Sequence, residues 1–141
     1  MQVSKNFIIQ EFVGPSMYKK WGDKAIWFVD SRIISLAQFI RDYFDMPMTI
    51  NNWHIGGEFT ERGLRDFASE IGAQYSQHRF GRAIDFNLSN LTPDEIRKEI
   101  YKHQEVFMIN GLTCIEADTP TWVHVDCRYT GLKKILVVPF K

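Results

Sequence analysis

From Asp30 the chain repeats apolar residues at helical spacing. Ile33, Leu36, Ala37, Ile40 and Phe44 fall on one face, so Asp30–Phe44 reads as a core-facing helix that opens at a capping aspartate. Thr92-Pro93-Asp94-Glu95 is a second helix start, with a cap, a proline in the first turn and an acid that completes a capping box. That helix is expected to run to about His103. Elsewhere the period is two. In Arg82–Asn87, Asp85 shares a strand face with Ala83 and Asn87, while Ile84 and Phe86 point to the opposite, buried side. In Trp122–Arg128, Trp122, His124 and Asp126 face one way and Val123, Val125 and Cys127 the other, the pattern of a half-buried strand with a polar face. Leu112–Ala117, Met48–Trp53 and Ile135–Val138 are further strand candidates. With helices early and strands later, the expected class is α+β, a small antiparallel sheet with helices packed on one side.

Composition narrows the possibilities. A length of 141 residues with 45% hydrophobic side chains suits one domain, residues 1–141, with a core of its own, and no repeat, low-complexity stretch or linker divides it. Lysine plus arginine equals aspartate plus glutamate at 17 each, which gives no electrostatic argument for nucleic acid or an anionic membrane. No segment approaches the ~20 apolar residues of a membrane span, and the opening Met1-Gln-Val-Ser-Lys-Asn-Phe lacks the apolar stretch of a signal peptide, so synthesis is expected to be cytoplasmic. Two cysteines are too few for a disulfide framework and read as buried thiols.

The chemistry concentrates in two short segments. Ser76-Gln-His-Arg-Phe-Gly-Arg-Ala-Ile-Asp85 and Trp122-Val-His-Val-Asp126 supply two imidazoles and a carboxylate, His78, Asp85 and His124. These donors suit a borderline divalent metal such as zinc, and three protein ligands leave a fourth position for the water of a catalytic site. In a continuous helix His78 and Asp85 would lie about 10 Å apart along the axis, too far to share an ion. A turn at Gly81 brings them together. Asp126 is placed to orient an imidazole or a neighbouring cation. His54, near a turn, and His103, at a helix end, read as ordinary histidines.

Ser-x-His-x-x-Gly-x-Ala-x-Asp followed by Trp-x-His-x-Asp resembles the zinc D-alanyl-D-alanine carboxypeptidases and L-alanyl-D-glutamate endopeptidases that cut peptidoglycan stem peptides, phage endolysin-like members above all. The similarity spans about Asn51 to Arg128. It implies a Hedgehog/DD-peptidase-like fold, Zn2+ held by His78, Asp85 and His124, and hydrolysis in which an acidic residue takes a proton from a metal-activated water and returns it to the leaving amine. It also implies Arg65, in Arg62-Gly-Leu-Arg65, as the anchor for a substrate carboxylate, with Arg62 the alternative. By the same resemblance, Ser76 is expected to border the site and tighten the loop that presents His78. Asn51–His54 and Gly56-Gly57 are expected to wall the cleft.

The general base is less fixed. Several family members carry an acid three residues before the last histidine, where this chain has Thr121. Glu116 and Asp118 are the candidates, on a hairpin with Pro120 in its turn. An odd-numbered loop sets Glu116 across from His124 on the same face; a four-residue loop sets Ile115 there and leaves Asp118 as the better base. Glu116 is the favoured reading. The partners implied are peptidoglycan stem peptides, met by a monomer at the bacterial cell wall after lysis or holin-type release. The other reading from the same fold is a zinc-stabilised binding module without turnover, as in Hedgehog signalling domains.

Overall fold

The structure, a computed structural model, describes residues 1–140. Its helices are α1 (Pro15–Trp21), α2 (Ser31–Phe44), α3 (Pro93–Lys102) and α4 (Gln104–Ile109). Its strands are β1 (Met48–Thr49), β2 (Ala83–Leu88), β3 (Cys114–Glu116), β4 (Val123–Asp126) and β5 (Leu136–Val138), and short 3-10 turns include Gly22–Phe28, Trp53–Ile55 and Gln77–Phe80.

The two helix starts behave as their sequences dictate. Asp30 caps α2 by accepting the Arg32 amide at 2.9 Å. Thr92 and Glu95 close a reciprocal box at α3, at 3.2 and 2.8 Å. Such caps are each worth about 1 kcal/mol. α4 docks through Phe107, whose ring meets Phe39, Tyr43 and Phe44 of α2 at centroid distances of 5.3, 4.8 and 6.2 Å.

The five strands form one sheet in the order β1-β2-β4-β3-β5. It is mixed rather than antiparallel: β5 pairs parallel with β3, while every other neighbour is antiparallel. The expected strand Met48–Trp53 is reduced to Met48–Thr49, because the chain turns into the 3-10 segment at Trp53. Nor are helices confined to the early chain, since α3 and α4 connect β2 to β3.

The sheet's two faces divide the labour. Ile84, Phe86, Ile115, Val123 and Val125 join Ile33, Leu36, Ala37 and Ile40 of α2 and Ile96 and Ile100 of α3 in one buried cluster. The other face carries Asp85 directly opposite His124, and Ala83 opposite Asp126. Cys114 pairs with Asp126 and Ile115 with Val125, so the same register continued by one pair sets Glu116 beside His124. Asp85, His124 and Glu116 therefore form a row across β2, β4 and β3.

Gly81 makes the first segment fold back. Its φ of +66° lies in the left-handed region, and a Cβ added there would stand 2.0 Å from the Phe28 carbonyl oxygen. Gly81→Ala is expected to cost at least about 2 kcal/mol, from the left-handed backbone and the clash together. A denaturation midpoint unchanged from the parent protein would contradict that assignment.

Candidate metal centre

Each ligand-type side chain is placed by a local feature. Ser76 caps the turn Gln77–Phe80, its hydroxyl accepting the His78 amide at 3.3 Å, and the Gly81 turn then returns the chain into β2. As a result His78 Nε2 stands 3.3 Å from Asp85 Oδ1. The cross-strand partner His124 sets its Nδ1 2.9 Å from that same oxygen. All three side chains are buried, and one ligand atom from each lies within 4.8 Å of the others, close enough to bind a metal ion. Tetrahedral ligands at zinc bond lengths lie about 3.3 Å apart, and the separations of 3.3 and 2.9 Å between the imidazoles and Asp85 are of that order.

The outer hydrogen bonds fix which ring nitrogens face inward. His78 Nδ1 is 2.8 Å from the Gly63 carbonyl, which can only accept, so the proton is on Nδ1 and Nε2 presents its lone pair to the centre. His124 Nε2 is 3.0 Å from the Asp126 carboxylate, leaving Nδ1 toward Asp85. Asp126 is fully buried and is itself clasped by Arg128, with Nε at 2.8 Å and Nη2 at 2.6 Å. A chain of charge-assisted bonds thus runs Arg128 to Asp126 to His124. Replacing such a partner typically costs 10–100-fold in metal affinity. Asp126→Asn is expected to weaken metal binding by about that factor, read by competition with a chromogenic chelator; unchanged affinity would remove Asp126 from the site.

Electrostatics separate the two histidines. Burial lowers the pKa of His78 below its ordinary value despite the pull of Asp85. Burial acts the same way on His124, but the hydrogen bonds its ring donates to Asp126 and Asp85 prevail and raise it to about 9. Asp85 is pushed up by burial, yet the two imidazoles hold it well below the usual carboxylate range. At pH 7 a metal must therefore displace a proton from His124 and none from His78. Metal binding is expected to release about one proton per site, measured by calorimetry in buffers of different ionisation enthalpy, and an enthalpy independent of buffer would contradict it.

Glu116 is the acid beside this set. Its Oε1 is 3.5 Å from His124 Nδ1, and its Oε2 is buried without a hydrogen-bond partner among the described residues. Burial raises its pKa, with Asp85 and Asp126 adding to the rise and His124 and Arg128 opposing it. Asp118 is directed elsewhere: its Oδ1 accepts the Phe140 amide at 2.7 Å. Between the two candidates, Glu116 is the one at the centre.

These groups open into a cleft of about 300 Å³ whose lining includes Arg65, Tyr75, Ser76, Trp122, Arg128 and Phe140. Arg65 is nearly buried, its Nη2 3.3 Å from Asp85 Oδ2 and its Nε donating to the Glu61 carbonyl at 2.8 Å. Arg62 is turned away, stacked 3.5 Å from the Phe59 ring centroid and donating to Asn87 at 2.6 Å. The segment Asn51–Gly57 does not line this cleft. Asn51 and Trp53 instead donate to the Val13 carbonyl, at 3.2 and 2.8 Å, and brace the N-terminal region.

Compared with protein-family models, curated proteins and solved structures, the chain shows no match.

Arg128 escaped the sequence reading, although its place two residues after Asp126 on the same strand face was a usable signal. Phe140 gave none, because it reaches the cleft through the β3–β5 pairing, where its ring meets Trp122 edge-on at 5.2 Å. The cysteines take no part. Cys114 and Cys127 are free and buried on opposite strand faces, and burial pushes their thiols up to about 12 and about 11. No helix among the described residues is long and apolar enough to cross a membrane.

Proposed function

We propose that this chain is a zinc-dependent peptidase that hydrolyses amide bonds in peptidoglycan stem peptides, on a Hedgehog/DD-peptidase-like fold. The observation that carries the reading is the convergence of His78 Nε2, Asp85 Oδ1 and His124 Nδ1 on one point, with the unpaired Glu116 carboxylate oxygen beside it. The donor set fits zinc: both imidazoles have their outer nitrogen engaged by an acceptor, and no sulfur is present to favour a softer ion. Zinc held there supplies a Lewis acid that polarises a water and the scissile carbonyl.

The protein's own groups divide the remaining work. Glu116 takes the proton of the attacking water at its free oxygen and returns it to the leaving amine, a role helped by a carboxyl whose pKa burial has moved toward neutrality. Arg65 offers a guanidinium in the cleft wall for a carboxylate of the stem peptide. Ser76 holds the turn that presents His78, and Arg128 with Asp126 fixes the His124 ring. Trp122 and Phe140 form an aromatic rim on the cleft. Its substrate in this reading is the peptide of the bacterial cell wall.

Synthetic stem peptides test the reading. Incubation with the zinc-loaded protein is expected to release either terminal D-alanine or an L-alanine-bearing fragment, and mass spectrometry of the products identifies the bond. Full zinc occupancy with every peptide intact would instead support a zinc-stabilised binding module.

A further inference from the structure

The balanced overall charge conceals a local imbalance on the far side of the His78 turn. α1 and the 3-10 segment Gly22–Phe28 present Trp21, Trp27 and Phe28 at the surface, with Trp27 72% exposed. The Trp21 and Phe28 rings meet at 5.2 Å. Lys20 Nζ lies 5.4 Å from the Trp21 ring and Lys24 Nζ 5.8 Å from the Trp27 ring, with exposed Lys19 next in the chain. The carboxylates of this stretch are already engaged. Asp23 takes the N-terminal ammonium and the Tyr18 hydroxyl, both at 3.2 Å, and Asp30 takes the Arg32 amide and guanidinium. Three cations and a group of apolar rings are left facing solvent, and none of them lines the metal cleft.

We propose that this surface docks on an anionic lipid bilayer, the lysines meeting headgroup phosphates and the aromatic rings entering the interfacial layer. Tryptophan joins a large apolar area to an N–H that stays hydrogen-bonded at such an interface, and lysine stems lie along apolar surface while their heads remain in water. Each basic residue near an anionic surface raises binding roughly fivefold, so three give a preference on the order of 100-fold over a neutral surface. A neutral glycan would stack on the rings but gain nothing from the lysines. The inference is independent of the peptidase reading, because it uses no residue of the cleft.

The test is co-sedimentation of the full chain with phosphatidylcholine vesicles made with and without phosphatidylglycerol, followed by tryptophan emission. Binding to the anionic vesicles is expected to exceed the neutral ones by on the order of 100-fold at low salt, to weaken as salt rises, and to shift emission to shorter wavelength. The double variant K20E/K24E is expected to lose tenfold or more of this binding, and Trp27→Ala most of the emission shift, both on an exposed surface where the fold is unaffected. Equal binding to the two vesicle types would overturn the proposal, as would variants that bind like the parent. Trp27-dependent capture on chitin oligosaccharide or on a single-stranded oligonucleotide, without vesicle binding, would overturn it in favour of that ligand.

Discussion

Glu116→Gln is expected to reduce turnover of stem peptides by about 10²–10⁴-fold while leaving zinc bound. The substitution keeps the side chain's size and removes its capacity to take a proton. The carboxylate is suited to that loss because its Oε2 has no competing partner among the described residues and sits in the row formed by Asp85 and His124. Zinc content should hold, since His78, Asp85 and His124 are untouched. Asp118→Asn is the informative companion. Its carboxylate anchors the Phe140 amide, so the loss there should be modest and confined to the cleft rim. An active Glu116→Gln protein would refute the base assignment.

His78→Ala is expected to lose both zinc and turnover, falling to the level of the chelated protein. His78 is 2% exposed and supplies one of three donors, and two donors do not hold the ion at neutral pH against a chelator. The split between the variants separates base from ligand: one keeps the metal and loses the reaction, the other loses both. Metal content by atomic absorption, with circular dichroism to check folding, reads the difference. Stoichiometric zinc in His78→Ala would remove that histidine from the centre.

What could be read in the chain was what local chemistry decides. α2 and α3 were legible because Asp30 and the Thr92/Glu95 pair are caps that act within one turn. The alternations around Asp85 and His124 were legible because a strand with one buried face has period two. The sequence is compatible with two hairpin registers, and the pairing of Cys114 with Asp126 selects the one with Glu116 beside His124. The misses are non-local. β5 joins β3 in parallel after a loop from β4, and no short-range pattern distinguishes that from an antiparallel return. Met48–Trp53 had the composition of a strand, but Asn51 and Trp53 are drawn to the Val13 carbonyl and the ladder stops at Thr49. α1 and α4, seven and six residues long, lack the repeated apolar face that marks α2. Arg65 is the expected carboxylate anchor, with Arg62 the alternative. The Phe59 ring and the Asn87 amide oxygen claim Arg62, and only Arg65 reaches Asp85.

In the proposed reaction, a metal held by His78, Asp85 and His124 is required to cut peptidoglycan stem peptides. Purified bacterial peptidoglycan should be digested with the parent protein as loaded with zinc, after chelation, and after zinc re-addition, with released fragments quantified by mass spectrometry. Cleavage should disappear with chelator and return with zinc. Cleavage that persists in the fully chelated protein would contradict it.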